Sequence, residues 1–129
     1  HCTATPRNKD FSAEDIRDWH VKGNGWDDIG YHFVVRLNGS IEYGRMVDKY
    51  GAHVKGHNYD SIGICYVGGM SKDMKEWEDT RTKEQKDSLL LLLKTLKKLH
   101  KKAVIYGHKD FSSKMCPSYD AKEEYKNIK

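Results

Sequence analysis

Apolar and polar residues alternate along this chain with two different periods. Leu89, Leu92, Leu93, Leu96 and Leu99 recur at helical spacing behind Thr82, and Gln85 stands three residues after that threonine. The pattern predicts a capping-boxed helix from Thr82 to about His100, its leucine stripe buried and widened by Leu90 and Leu91. Ser12 and Asp15 open a shorter amphipathic helix through Ile16, Trp19 and His20, ending near Gly23. Elsewhere the period is two. Tyr31 to Arg36 reads as a strand, Asn38-Gly39 as a hairpin turn, and Ile41 to Gly44 as the returning strand. Alternation puts Tyr31, Phe33 and Val35 on one face, with His32, Val34 and Arg36 on the other. Ser61 to Val67 and Ala103 to Tyr106 read as further apolar strands, His1 to Thr5 as the end of one, and Tyr119 to Lys126 as a short terminal helix. Strands interleaved with amphipathic helices predict one α/β domain over residues 1–129: a central mixed sheet of about five strands, flanked by helices on both faces.

Composition narrows the function more than the fold. With 33% charged and 37% hydrophobic residues the chain has the balance of a globular domain. Its longest leucine run, Leu89 to Leu93, falls far short of the ~20 apolar residues that span a bilayer, so no membrane partner is expected. The net charge of +4 suits an anionic polymer. The lysines of the long helix (Lys94, Lys97, Lys98, Lys101, Lys102) carry no aromatic platform or reading motif, so nucleic acid is not the expected partner. Cys2, Cys65 and Cys116 have no disulfide-framework spacing, and Cys65 reads as a packed thiol.

Candidate chemistry gathers in residues 103–118. His108 follows the apolar run and Gly107 directly, which places it at a predicted strand end. Cys116 precedes Pro117, and proline favours the first helical position, so Cys116 is the expected N-cap of the terminal helix. A helix N-terminus stabilises a thiolate, and a thiolate beside an imidazole suits zinc. Lys114, two residues before Cys116, shares its side if the loop is extended. On this stretch alone a packed thiol and a capping histidine remain equally open. Alternation at the chain start allows either His1 or Cys2, but not both, into one site. The loop 48–60 carries His53, His57 and Asn58, a candidate binding rim.

Taken together, His1-Cys2-Thr3-Ala4-Thr5, Gly30-Tyr31-His32-Phe33, Gly51-Ala52-His53, Asn58 with Ser61-Ile62-Gly63-Ile64, and Lys114-Met115-Cys116-Pro117-Ser118 resemble the type-2 zinc amidases. These are N-acetylmuramoyl-L-alanine amidases related to peptidoglycan recognition proteins, and the likeness is strongest to small phage endolysins. It runs over nearly the whole chain. It implies one Zn²⁺ held by His1, His108 and Cys116, with Tyr31 and Lys114 as catalytic side chains and His53 and Asn58 on the substrate side. It removes His32 from the ligand list and implies a first strand truncated before His1. The implied activity is hydrolysis of the amide between the lactyl group of muramic acid and L-alanine, by a monomer whose partner is peptidoglycan. Two alternatives are carried forward. One is a peptidoglycan-binding module of the same fold; its non-catalytic representatives usually lack the metal cysteine. The other is a structural zinc site completed by His53 or Cys2.

Overall fold

The computed structural model describes residues 1–129. The strands are β1 (Thr5–Pro6), β2 (Phe33–Val35), β3 (Ile41–Tyr43), β4 (Ile64–Tyr66) and β5 (Gly69–Met70). The helices are α1 (Ala13–Asp18), α2 (Lys83–Leu99) and α3 (Ala121–Glu124). A π-helical turn, Trp19–Gly23, extends α1, and a 3₁₀ turn covers His108–Asp110. β2 lies between β3, antiparallel, and β4, parallel, so the sheet is mixed as expected. β1 and β5 form a second, parallel ladder. A bridge from Cys2 to Tyr66 joins the two, so residues 1–3 run along the free edge of β4 before β1 pairs with β5.

Each face of the sheet buries a different set of side chains, as period two requires. On one face Val34 and Val67 pack with Ile29 and with Ala13 and Ile16 of α1. On the other, Val35 and Tyr66 pack with Cys2, Cys116 and Leu89 of α2. Helices therefore cover both faces. The Ser12 and Thr82 capping boxes both form, each side chain accepting the N3 amide while the N3 side chain accepts in return. The Asn38-Gly39 hairpin forms as well. Gly39 has φ +86°, a conformation costly for residues with a Cβ, and its Cβ position would stand 2.9 Å from the Glu84 carbonyl oxygen.

Several elements differ from the sequence expectation. Residues 103–107 form no strand, and Val104 is 60% exposed. Residues 1–3 already occupy the edge of β4, with Tyr66 N donating to the His1 carbonyl and Thr3 N to the Tyr66 carbonyl. An apolar run reports burial preference but not whether an edge is available to it. The leucine stripe is narrower than its spacing suggests: Leu89 and Leu92 are buried, but Leu91 and Leu99 are exposed. Gln85 is instead wholly buried, its amide nitrogen donating to the Val35 and Val67 carbonyls. The terminal helix begins at Ala121 under an Asp120 cap, so Cys116 is not an N-cap. Pro117 follows a cis peptide bond and occupies a turn closed by Ser118 N to the Met115 carbonyl, 2.7 Å.

Candidate metal centre

Residue 1 and the loop 108–116 meet where the N-terminal segment lies against β4. The His1 backbone nitrogen donates to the Ile64 carbonyl at 2.7 Å, which fixes the residue against the sheet. Alternation then sends Cys2 into the core and His1 out of it. The loop returns on itself through Lys109 N to the Cys116 carbonyl, 2.7 Å, bringing His108 and Cys116 together despite their separation in sequence. The result is a cluster of three: the donor atoms of His1, His108 and Cys116 all lie within 4.8 Å of one another. The His1 and His108 rings are 4.7 Å apart at their centroids. His1 Nδ1 stands 3.8 Å from Cys116 Sγ. A tetrahedral zinc with ordinary bond lengths separates sulfur and nitrogen ligands by about 3.6 Å, so the trio fits that ion.

The thiol is prepared for a metal by means other than a helix dipole. A hydrogen bond with the Cys2 thiol lowers the Cys116 pKa, against the opposing effect of burial, and the Cys2 amide helps by donating to Sγ at 3.2 Å. The Cys2 thiol is pushed up by the same contact and keeps its proton. Cys2 thus supports the ligand. The metal-capable group has three members, which leaves a tetrahedral ion one open position.

Tyr31 reaches the trio, its ring 5.2 Å from that of His1. It does so from the opposite face to Phe33, packed with the α1 cluster. The amides of His32 and Phe33 both donate to the Gly63 carbonyl, a bulge-like irregularity that breaks the alternation just before β2. Burial, then the neighbouring thiols, raise the phenol well above its usual pKa, so it holds its proton at neutral pH. His20, which the sequence reading places only on the first helix, buttresses Tyr31 at 5.5 Å between centroids and accepts the Gly30 amide on Nδ1 at 2.8 Å. His32 is buried away from the trio, accepting Gly63 N on Nδ1 and donating from Nε2 to the Lys49 carbonyl. Lys114 is exposed, in a bend rather than an extended run, and its ammonium forms no ion pair or hydrogen bond.

His53 lies beside the trio, Nδ1 3.0 Å from His1 Nε2. Burial, followed by the nearby positive groups, lowers its pKa to about 3. Asn58 holds the loop under it, Oδ1 accepting the amides of His53 and Val54 at 2.8 and 2.9 Å. A cavity of about 640 Å³ opens from His1, His53 and His108 and runs between Ile62 and Ile64 on one side and Val104 to Tyr106 on the other. Cys116, Tyr31 and Lys114 do not line it.

A family model described as N-acetylmuramoyl-L-alanine amidase matches residues 1–119. The chain is 43% identical over 120 residues to an endolysin of Enterobacteria phage K11, covering 93% of this chain and 78% of that one. Among solved structures, the N-acetylmuramoyl-L-alanine amidase LysC of Clostridium intestinale superposes with a TM-score of 0.81 at 28% identity, over 100% of this chain and 83% of that one. Peptidoglycan-recognition protein SC1a of Drosophila melanogaster is 31% identical over 104 residues, 81% of this chain and 55% of its own length.

Proposed function

The chain belongs to the N-acetylmuramoyl-L-alanine amidase family, and from that membership we propose that it is a zinc-dependent enzyme cutting the lactyl–L-alanine amide of peptidoglycan. The observation that carries this reading is the trio His1, His108 and Cys116, brought within 4.8 Å at the mouth of a cavity. Zinc, when bound, supplies Lewis-acid polarisation of the amide carbonyl and acidifies a water towards a pKa of about 7.

The remaining work falls to side chains of the chain itself. Cys116, its thiolate favoured by Cys2, and the two imidazoles hold the metal. Tyr31 keeps its proton and sits against His1, so its phenol donates a hydrogen bond to the oxygen on which negative charge grows. Lys114, whose ammonium has no partner of its own, is assigned the positive charge that stabilises the same oxygen. The departing amine of L-alanine takes up the proton that the attacking water gives up. On the substrate side His53 lines the cavity with both ring nitrogens already occupied, while Asn58, outside the cavity lining, holds the loop that carries it.

A module that grips peptidoglycan without cutting it is the competing reading, and the likeness to the Drosophila recognition protein supports it. The activated thiol argues for hydrolysis, because a grip on the wall requires no such ligand. Digestion of purified peptidoglycan tests the choice. Hydrolysis exposes new L-alanine amino groups and no new reducing sugars, stops with a chelator and resumes with zinc. Stem peptides that stay joined to muramic acid after zinc loading would leave the binding module.

A further inference from the structure

His1 has two ring nitrogens, and only one can carry the lone pair that meets a metal. A hydrogen-bonded chain beyond the trio decides which. It starts at the His57 carbonyl, which can only accept. Ser61 Oγ lies 2.6 Å from that oxygen, so the hydroxyl proton is committed there. The same Oγ is 3.3 Å from His53 Nε2 and can offer it only a lone pair. His53 therefore carries its proton on Nε2. No carboxylate pairs with this ring, in contrast to His57, which faces Asp60, so His53 has no counter-ion for a second proton. Its Nδ1 is then bare, 3.0 Å from His1 Nε2, and must receive the proton of His1. The bare nitrogen left on His1 is Nδ1, the one 3.8 Å from Cys116 Sγ.

We infer that His53, oriented by Ser61, is a positioning residue that holds His1 in the tautomer with Nδ1 free, so that Nδ1 is presented to the metal before the metal arrives. The His53 ring lies flat between two glycines. A Cβ at Gly51 would stand 2.5 Å from its Cδ2, and one at Gly63 2.7 Å, so these two glycines form the walls of a slot around it. Asn58 fixes the backbone beneath through both amides. Metal-bound histidines commonly give their second N–H to a carboxylate or carbonyl. Here the acceptor is another imidazole, whose own far proton is taken by a hydroxyl.

The inference rests on the zinc reading for its purpose, but its test does not. In metal-free wild-type protein, ¹⁵N-resolved imidazole spectra should show His1 protonated at Nε2 and bare at Nδ1, with His53 in the same tautomer. That measurement stands whether or not zinc ever binds. A His1 protonated at Nδ1, or two tautomers equally populated, overturns the inference. For zinc affinity, measured by competition with a chelator, His53→Ala should weaken binding by about 10–100-fold, the usual effect of losing such a support. His53→Gln, whose carbonyl can still accept the His1 proton, should recover most of it, a rescue that a merely space-filling role would not produce. Equal affinity in all three proteins also overturns the inference.

Discussion

Two polar clusters, each built on one buried side chain, sit at opposite ends of the C-terminal segment, and they are finished to different degrees. Arg81 has five N–H donors and makes five hydrogen bonds: two to Asp79, two to Glu124 and one to the Tyr125 hydroxyl, at 2.6 to 3.1 Å. Its guanidinium also stacks 3.4 Å from the Tyr119 ring centroid. Charge and hydrogen-bonding capacity are both used up, so nothing is left to offer a ligand. In the trio the opposite holds. Cys116 Sγ and His1 Nδ1 face each other at 3.8 Å, a long contact that leaves both atoms with capacity for a ligand. A saturated cluster braces the fold, and an unsaturated one is where chemistry can occur. Burial alone does not separate them, because Arg81 and Cys116 are both buried.

The contrast is broken most severely by removing one of the proposed metal donors. Cys116→Ser and His108→Ala should each abolish zinc retention by elemental analysis and reduce peptidoglycan hydrolysis to background. Wild-type zinc content in both would show that the lone pairs are not metal donors. Next in size, Lys114→Ala and Tyr31→Phe should keep zinc but lose about 10²–10³ in turnover each, as for an oxyanion donor. Near-normal hydrolysis in both, with zinc bound, would remove these side chains from the reaction.

The Arg81 cluster should respond on the other axis. Arg81→Met should cost on the order of 1–3 kcal/mol of stability, the range for losing charged hydrogen bonds, while zinc content stays at one per chain. A chemical denaturation series measures the first and elemental analysis the second. The smallest effect is on acid stability. Burial alone would raise Asp79, but the Arg81 contacts outweigh it and leave its pKa below the usual 3.8. Hydrogen bonds from Arg81 lower Glu124 below 4.5. Folded pKa values below the unfolded ones contribute stability that is complete above about pH 4.5 and is lost as pH falls through the folded values. Both carboxylates are partly exposed, so solvent keeps the contribution small. Arg81→Met should flatten this acid limb, and an unchanged limb would assign acid sensitivity elsewhere.

What the sequence made legible was local. Thr82 and Gln85 announce a helix start because both halves of the capping box lie within four residues. The hairpin at Asn38-Gly39 is readable for the same reason. The ligand set came from a resemblance spread over the chain, and the structure brings those three residues together. What stayed hidden depends on distant partners. Pro117 marks a break in the chain, but its residue type does not distinguish a helix start from a turn. Tyr31 changes face because two amides share the Gly63 carbonyl, thirty residues away. Gln85, His20 and Ser61 are ordinary polar residues until β2, Tyr31 and His53 are placed against them. The run 103–106 has the composition of a strand, but the edge of β4 was already taken.

The loop that carries two of the three donors is fastened unevenly. At the Cys116 end, the Tyr66 hydroxyl donates to the Pro117 carbonyl at 2.6 Å, Ser118 Oγ to the Gly69 carbonyl at 2.7 Å, and the Cys2 amide to Sγ. At the His108 end, the Lys109 amide ties the loop only to its own far end, through the Cys116 carbonyl. The Cys116 end is thus anchored to the sheet by hydrogen bonds, whereas His108 is held by packing, its ring 4.7 Å from that of His1 and Phe111 beside it 4.8 Å from that of His57. Hydrogen bonds fix direction and packing fixes only distance, so the thiol is the more sharply aimed of the two donors on this loop.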